Sequence, residues 1–370
     1  MEFRHRALED LAMKDFWRGR RIFVTGHTGF KGAWLTLWLE QLGAKVWGYA
    51  LPPENDDNLF LKAAVAETMV SSTYADIRDL ATLKDALHDA APEIVIHMAA
   101  QALVRPSYTD PVGTYQTNLM GTVNVLESVR GSPSVKAVLV VTTDKCYENR
   151  EWHWGYRETD PLGGYDPYSS SKGCAELAAA AYRSSFFGPE KGLHPAAIAT
   201  ARAGNVIGGG DWSTDRLLPD LFRAAVGTSQ LRIRNPHAIR PWQHVLEPLR
   251  GYLTLAQRLA QSHYQCASAY NFGPRDEDAW SVGDVVARVC ELWGDRIQVE
   301  QEGQKQPHEA TYLKLDVSKA RNELHWQPVL GLQESLGLTV NWVRHYLNTG
   351  DTRDITNAQI RAYINDPRVN

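Results

Sequence analysis

At residues 21–32 the chain carries the sequence RIFVTGHTGFKG, in which a mainly apolar run leads directly into three closely spaced glycines. The run predicts a buried β-strand, and the pattern over residues 31–42 predicts a helix. A strand, a glycine-rich turn and a helix in this order are typical of nucleotide-binding folds, because glycine lets the backbone approach a pyrophosphate at the helix N-terminus. The alternative is a tight turn between a strand and a helix that binds no ligand.

The first half of the chain continues this alternation of short β-rich runs and helical patterns. Strands are predicted at 21–25, 45–50, about 69–73, 94–98, 137–142 and 196–201. Helices are predicted between them, at 31–42, 80–90, about 111–130 and 168–186. This order predicts an α/β protein with a Rossmann-type doubly wound parallel sheet.

The domain organisation follows from where the alternation weakens. After about residue 204, Gly and Pro become frequent and the pattern is less regular. We therefore expect a nucleotide-binding Rossmann domain at 18–204, with some later segments returning to it, and a smaller C-terminal substrate-binding part, mainly at 205–350. Residues 1–17 are expected to form an N-terminal arm, since they lack the apolar stretch of a signal peptide.

The composition excludes several classes of partner. The net charge of −4 gives no electrostatic reason to expect nucleic acid or an anionic membrane. The chain contains no apolar run long enough for a transmembrane helix. Its four cysteines, at positions 146, 174, 266 and 290, have no C-x-x-C spacing, so we expect no metal and no disulfide framework. These features favour a location in the reducing environment of the cytoplasm.

The glycine turn differs from the common phosphate-binding motifs. Its spacing is G-x-x-G-x-x-G, neither the P-loop nor the G-x-G-x-x-G of many dehydrogenases. The acidic residue expected about twenty positions later, for the ribose hydroxyl, is missing at 48–51, which leaves NAD or NADP open. Lys31 either favours an extra phosphate or shields the pyrophosphate. The candidate cofactor-binding residues in this turn are Gly26, His27, Thr28, Gly29, Phe30, Lys31 and Gly32.

A second cluster carries acid–base chemistry. Tyr168 and Lys172 are four residues apart in a predicted helix and therefore lie on one face. A free tyrosine, with a pKa of about 10, is a poor base, and we expect the nearby ammonium to lower the pKa of Tyr168. This pair alone is a weak pattern, since a solvated helix would carry it too. It gains weight from Thr143-Asp144-Lys145, which follows the apolar run at 138–141.

In combination these motifs resemble the extended short-chain dehydrogenases/reductases, over about residues 18–345. The matching positions are Gly26, Gly29, Gly32, His97, Ala99, Ala100, Asn118, Thr143, Tyr168, Lys172, Arg202, Asn205, Val206 and residues 270–273. The resemblance implies NAD as cofactor, with NADP not excluded. Beyond the glycine turn it implies cofactor contacts from Asp76, Ile77, Ala99, Ala100, Asn118, Tyr168 and Lys172. A helix N-cap is the alternative for the neighbouring Asp79.

The acidic residue after Thr143 narrows the resemblance to the sugar-nucleotide 4,6-dehydratases, and Asp followed by Lys resembles those that act on CDP-glucose. The implied reaction is a dehydration to CDP-4-keto-6-deoxyglucose through transient hydride transfer. Tyr168 would remove the C4 hydroxyl proton while Thr143 binds the same oxygen. Asp144 would be the acid for the C6 hydroxyl and Lys145 the base at C5. A capping carboxylate and a solvated lysine are the alternatives for the last two.

A nucleotide-sugar substrate needs cations for its pyrophosphate, and arginine makes the strongest such bonds. The candidate substrate-binding residues are Asn205, Asp211, Trp212, Arg216, Arg234, Arg240 and His244. Ordinary surface or packing positions are the alternative for each of them. The resemblance also implies a homodimer or homotetramer built through the helices at about 111–130 and 168–186, although these helices could equally pack within one subunit.

Two other functions stay open at this point. One is a different nucleotide-sugar enzyme on the same fold, either a 4-epimerase or a dehydratase for another base. The other is a nicotinamide-sensing binding protein. Such proteins commonly lose the tyrosine–lysine pair, whereas this chain retains Thr143, Tyr168 and Lys172 together.

Overall fold

The computed structural model of the protein describes residues 15–188, 193–227, 230–233, 235–262, 264–294, 297, 299–301 and 312–369. Most of the expected N-terminal arm and the predicted substrate residue Arg234 lie outside the described residues. The strands are β1 (Arg21–Thr25), β2 (Lys45–Ala50), β3 (Ser71–Tyr74), β4 (Ile94–His97), β5 (Ala137–Val141), β6 (Ala197–Ala203), β7 (Val206–Ile207), β8 (Leu231–Ile233), β9 (Gln243–His244), β10 (Ala269–Phe272) and β11 (Val299–Gln301).

A helical segment at residues 15–17 precedes β1, and the other α-helices follow the glycine turn. They are α1 (Phe30–Gln41), α2 (Leu59–Lys62), α3 (Leu80–Ala90), α4 (Val104–Thr109), α5 (Pro111–Tyr115), α6 (Gly121–Arg130), α7 (Pro167–Phe186), α8 (Leu217–Ala225), α9 (Leu246–Ser262), α10 (Val282–Trp293), α11 (Ser318–Leu324), α12 (Leu332–Thr349) and α13 (Arg353–Ile364). Short 3-10 turns occupy Val65–Thr68, Asp144–Cys146 and Asp276–Asp278.

The predicted doubly wound parallel sheet is confirmed. Seven strands lie in the order β10-β6-β5-β4-β1-β2-β3, and all neighbouring pairs run parallel. The chain starts at β1, moves outward to β3, and then returns to add β4 on the other side of β1. The point between β1 and β4 is therefore the topological switch point, where ligands bind at the carboxyl ends of the strands.

Two hydrophobic cores cover the two faces of this sheet. Within β4, Ile94 and Ile96 belong to one core and Val95 to the other. Because side chains alternate across a strand, apolar residues at every position are required when both faces are covered by helices. This explains why β4, β5 and β6 have no exposed residue.

The predicted helix at about 111–130 is divided. A π-helical turn, Gln116–Met120, separates α5 from α6. Such turns often occur at functional sites, because the extra residue re-aims a side chain. Here the turn carries Asn118, one of the predicted cofactor residues.

The second half of the chain adds two small parallel sheets, β7 with β9 and β8 with β11, and then returns to the main sheet through β10 beside β6. No described helix is long and apolar enough to cross a membrane. Across the part of the chain that the structure describes, no group of three or more His, Cys, Asp or Glu side chains is arranged to hold a metal ion.

Candidate active site

The glycine turn between β1 and α1 is too closely packed to admit side chains. Gly26 has a φ of +76°, and a Cβ there would lie 2.7 Å from the Ala99 nitrogen. A Cβ on Gly32 would lie 2.1 Å from the Gly26 carbonyl oxygen. By contrast, Gly29 is exposed, and a Cβ there would meet nothing closer than 3.4 Å. A compact turn that opens at Gly29, next to the N-terminus of α1, fits a dinucleotide pyrophosphate.

Other predicted cofactor residues lie along the ends of β2 and β3. His27 is buried, and its Nε2 is 2.8 Å from the Ser72 hydroxyl. Thr28 donates to the Leu51 carbonyl at 2.9 Å. Asp76 pairs with Arg78 at 2.6 Å, while Ile77 is buried beside it. The neighbouring Asp79 caps α3 by accepting from two backbone N–H groups, which confirms the alternative given for it.

Asn118 connects the loop after β4 to the start of α7. It accepts a hydrogen bond from the Gln101 nitrogen at 2.9 Å and donates to the Ser171 hydroxyl at 2.9 Å. The same loop holds Ala99, whose nitrogen donates to Thr25 Oγ1 at 3.1 Å, and Ala100. Asn118 therefore fixes the spacing between this loop and the helix that carries Tyr168.

The candidate acid–base residues form one 3-10 turn directly after β5. Thr143 donates to Asp144 Oδ1 at 3.0 Å, and Lys145 Nζ lies 3.8 Å from the same oxygen. Asp144 is fully buried, and its Oδ2 has no hydrogen-bond partner among the described residues. Lys145 keeps a quarter of its side chain exposed. The structure therefore brings a carboxylate, an ammonium and a hydroxyl into one compact turn.

Tyr168 and Lys172 lie in the first turns of α7, and Asp166 caps this helix by accepting from the Ser169 nitrogen at 2.9 Å. The prediction that Lys172 lowers the pKa of Tyr168 is wrong for this structure. Burial raises the pKa of Tyr168 to about 12, partly offset by its hydrogen bond with Thr143. Lys172 instead donates to the Val141 carbonyl at 3.3 Å. Burial lowers the pKa of Lys172 itself to about 8, against the attraction of Glu176.

A buried ion pair is linked to the catalytic turn through Thr142. Arg202 on β6 donates to Glu176 on α7 at 2.8 Å, and both side chains are almost fully buried. Glu176 also accepts from Thr142, directly before the catalytic turn, and from Thr200 at 2.6 Å. Burial alone would raise the pKa of Glu176, but the Arg202 guanidinium and these hydrogen bonds hold it below its usual value. This network joins β5, β6 and α7 beneath the site.

A cavity of about 320 Å³ opens beside the catalytic turn. The predicted residues that line it are Phe30, Lys31, Thr143, Lys145, Tyr168, Asn205, Asp211, Arg216 and Arg240. The cavity therefore lies between elements of the main sheet and elements of the second half. Inside it, Arg216 pairs with Asp211 at 3.0 Å, and this carboxylate raises the pKa of the guanidinium.

Two predicted substrate residues do not belong to the cavity lining. His244 is fully buried and packs edge-on against Trp34, with ring centroids 5.8 Å apart. Burial lowers the pKa of His244 to about 3, so it is a neutral core histidine. Trp212 packs against Tyr346 instead, at a centroid distance of 5.8 Å. Sequence position alone could not separate these packing residues from their cavity-lining neighbours.

Several cavity residues were absent from the sequence prediction, among them the polar residues Arg105, Tyr108 and Asp215. Arg105 and Tyr108 come from α4, and Arg105 pairs across the cavity mouth with Asp215 at 3.0 Å. Arg105 and Tyr108 could have been predicted as cavity residues, because α4 follows β4 and the loops at the carboxyl ends of parallel strands all lie at one edge of the sheet. Asp215 has a φ of +60°, which no sequence pattern indicated.

Comparison with known proteins gives the family. The model of the GDP-mannose 4,6-dehydratase family matches residues 23–339. The chain belongs to this family of nucleotide-sugar 4,6-dehydratases. It is also 52% identical to the CDP-glucose 4,6-dehydratase of Salmonella typhimurium over 352 residues, which cover 95% of this chain and 98% of that protein.

Two solved structures of similar fold extend the comparison. The protein MoeE5, solved in complex with UDP-glucose and NAD, is 25% identical, with a TM-score of 0.74 over 88% of this chain and 99% of that chain. A double mutant of the dTDP-glucose 4,6-dehydratase of Streptomyces venezuelae, solved with NAD, is 23% identical, with a TM-score of 0.74 over 89% and 98%. The second likeness is evidence for the fold alone. In this 4,6-dehydratase family member, the glycine turn lies at the switch point of the sheet, and the Thr-Asp-Lys turn follows β5, the neighbour of β4.

Proposed function

We propose that the protein is a hydro-lyase that converts CDP-glucose to CDP-4-keto-6-deoxyglucose and water, with NAD as its cofactor. The observation that carries this proposal is the turn Thr143-Asp144-Lys145, which places a carboxylate and an ammonium 3.8 Å apart beside Tyr168. An alcohol oxidation needs only a base at one oxygen. An elimination needs an acid and a second base as well, and this turn supplies both types of group.

The glycine turn, Asn118 and Lys172 would hold the cofactor. Bound NAD would accept a hydride from the sugar C4 and return it to C6. The chain's own part in the first step is to remove the C4 hydroxyl proton. We assign this step to Tyr168 because it lines the cavity together with Thr143, although Arg216 and Thr143 only partly offset the burial that raises its pKa to about 12.

The elimination then uses the Thr-Asp-Lys turn. A ketone at C4 makes the C5 proton acidic, and Lys145, which reaches into the cavity, removes it. A lysine must lose its own proton to act in this way. Asp144 supports the departure of the C6 hydroxyl as water.

The second half of the chain would hold the CDP group. Arg216 and Arg240 both line the cavity, and two guanidinium groups match the charge of a diphosphate. Trp242 lines the same cavity and offers a flat apolar surface for a base. We accordingly propose the division into a cofactor part at 18–204, with later segments such as β10 returning to it, and a nucleotide-sugar part mainly at 205–350.

Product analysis tests this function. The protein would be incubated separately with CDP-glucose, dTDP-glucose and UDP-glucose, each with catalytic NAD, and the products identified by mass spectrometry and NMR. Loss of one water from CDP-glucose alone, without net reduction of NAD, is the expected result. A product of unchanged mass with inverted configuration at C4 would identify a 4-epimerase. Dehydration of dTDP-glucose or UDP-glucose instead would show that the enzyme recognises a different nucleotide base.

We also propose that the enzyme is a homodimer or homotetramer in the cytoplasm. The helices named for this contact carry exposed apolar side chains, namely Val112, Met120, Leu177 and Phe186. All four cysteines are free thiols, as is usual in a reducing compartment. Size-exclusion chromatography with light scattering tests the assembly, and a single monomer peak at micromolar concentration would contradict it.

A further inference from the structure

An ion pair joins the two halves of the chain where the cavity meets solvent. Arg105, on α4, donates to Asp215, in the loop before α8, at 3.0 Å. Both side chains line the cavity, and they are 37% and 36% exposed. The segments that carry them, 102–105 and 215–220, line the cavity as well. A ligand that enters or leaves between these two segments therefore has to break the pair.

The Arg105 side of the pair is anchored to the catalytic helix. Arg105 lies four residues after Gln101, in the segment that leads from β4 into α4. Asn118 donates to the Gln101 carbonyl at 2.9 Å and to the Ser171 hydroxyl, on α7, at 2.9 Å. The segment that carries Arg105 is therefore fixed relative to the helix that carries Tyr168.

The Asp215 side of the pair is held in shape by the second half of the chain. Asp211 accepts from the Ser213 hydroxyl at 2.7 Å and pairs with Arg216 at 3.0 Å. Arg223, on α8, donates to the Ser213 carbonyl at 3.1 Å. Asp215 itself has a φ of +60°, a conformation that residues other than glycine adopt mainly at turns and ligand sites. This loop therefore presents its carboxylate to α4 from a braced position.

The proposed reaction makes retention of the sugar necessary. After the first step the sugar carries a ketone at C4, the cofactor is reduced, and the hydride has still to return to the same sugar. If the sugar left at this stage, the products would be CDP-4-ketoglucose, NADH and the proton that Tyr168 has taken. The protein would then hold reduced cofactor and could not oxidise another molecule of CDP-glucose.

We propose that Arg105 and Asp215 are positioning residues, and that their ion pair, the Arg105–Asp215 clasp, keeps the oxidised sugar in the cavity until the hydride has returned. This inference rests on the proposed function. The clasp opens to admit the nucleotide-sugar and closes behind it, and neither side chain takes part in proton transfer. A partly exposed ion pair suits this role, because it changes an equilibrium by no more than about fivefold and therefore opens readily.

Direct binding of the substrate diphosphate is the competing role for Arg105, and Asp215→Asn separates the two. Asparagine adopts the same left-handed backbone, so this change removes the charge and leaves the turn intact. If the pair is a clasp, Asp215→Asn releases the ligand faster, as Arg105→Met does. If Arg105 instead binds the diphosphate, Asp215→Asn frees the guanidinium from a competing carboxylate, and the ligand should be held more tightly.

Two measurements follow the clasp. Stopped-flow tryptophan fluorescence gives the dissociation rate of CDP from the protein with NAD, without any turnover. During turnover of CDP-glucose, mass spectrometry and NADH absorbance give the CDP-4-ketoglucose and reduced cofactor formed for each molecule of final product. Arg368→Met is the matched control. It breaks a similarly exposed pair with Glu334 at 2.9 Å, and neither residue belongs to the cavity lining that the structure describes.

We expect CDP to dissociate about fivefold faster from Arg105→Met and from Asp215→Asn, near the upper limit for an exposed ion pair. CDP-4-ketoglucose and NADH per turnover should rise by about the same factor. Because both changes break one contact, the double variant should resemble each single variant. Raised salt should weaken the clasp of the unchanged protein in the same way. Arg368→Met should behave like the unchanged protein.

Four results would overturn the inference. These are unchanged CDP dissociation in both single variants, slower dissociation from Asp215→Asn, effects that multiply in the double variant, or no rise in CDP-4-ketoglucose. Circular dichroism melting verifies folding, and if Arg105→Met fails to fold, Asp215→Asn still decides the question. Absence of dehydration by the unchanged protein would instead contradict the proposed function, so the two failures are distinguishable.

Discussion

Replacement of Glu176 by glutamine should destabilise the protein and also change the acid–base behaviour of its site. The Glu176 and Arg202 side chains are only 3% and 4% exposed, so the pair is shielded from water. Removing one charge of such a pair leaves the other buried without compensation, which costs about 3–5 kcal/mol. Arg202 keeps its hydrogen bonds to Tyr147 and to the Glu158 carbonyl, at 2.8 and 3.2 Å. We therefore expect a loss of about 3 kcal/mol for Glu176→Gln, at the lower end of that range.

The second effect concerns Lys172. Glu176 raises the pKa of Lys172 against burial, which lowers it to about 8. Without this carboxylate the pKa should fall further, and the Lys172 ammonium should be lost at a lower pH. The alkaline limb of the pH–activity profile should then move to lower pH.

Urea unfolding followed by tryptophan fluorescence measures the first effect, and a pH series of initial rates measures the second. The matched control is Glu127→Gln, which breaks an exposed pair with Arg130 at 2.7 Å on α6. Exposed pairs contribute less than about 1 kcal/mol, so this control should unfold almost like the unchanged protein. The reasoning would be refuted if Glu176→Gln and Glu127→Gln unfolded at the same urea concentration and the alkaline limb of the Glu176→Gln pH–activity profile were unshifted.

Three further predictions concern the cofactor turn, the buried histidine and the first chemical step. Gly32→Ala should weaken NAD binding by about tenfold or more in a fluorescence titration, because a Cβ would lie 2.1 Å from the Gly26 oxygen. Gly337→Ala, where a Cβ meets nothing within 4 Å, should bind normally. Since burial lowers the pKa of His244 from 6.5 to about 3, the unfolded chain binds more protons between these values, and stability falls as the pH decreases through this range. In thermal melts, the His244→Gln variant should lose less stability than the unchanged protein as the pH decreases. An equal loss of stability with pH in the two proteins would contradict this prediction. Tyr168→Phe should slow NAD reduction by CDP-glucose about 100-fold or more while preserving the melting temperature, and rapid reduction by this variant would exclude Tyr168 as the base.

The sheet was predictable because its signals are local. A run such as Ile94–His97 is apolar on both faces, which only a sheet covered by helices requires. The six strands predicted in the first half of the chain lie within a few residues of the observed ones, whereas β10, the seventh strand of the sheet, was not predicted. The π turn at Gln116–Met120 carried no comparable signal, since its sequence continues an ordinary helical pattern.

The site was predictable only where motif spacing fixes geometry. Tyr168 and Thr143 follow directly from their places at the start of α7 and the end of β5, and both line the cavity. The direction of the Lys31 side chain and the burial of His244 depend on packing between distant segments. The pKa of Tyr168 also depends on burial, and the local lysine, which directs its ammonium to Val141, does not offset it.

The central claim is that one hydride leaves C4 and returns to C6 of the same sugar while the elements of water are lost. The most direct test uses CDP-glucose that carries deuterium at C4, incubated with the protein and unlabelled NAD. Mass spectrometry and NMR of the product then locate the label. The account predicts a 4-keto-6-deoxy sugar with one deuterium in its C6 methyl group. Deuterium that stays at C4, or that accumulates in free reduced cofactor, would contradict it.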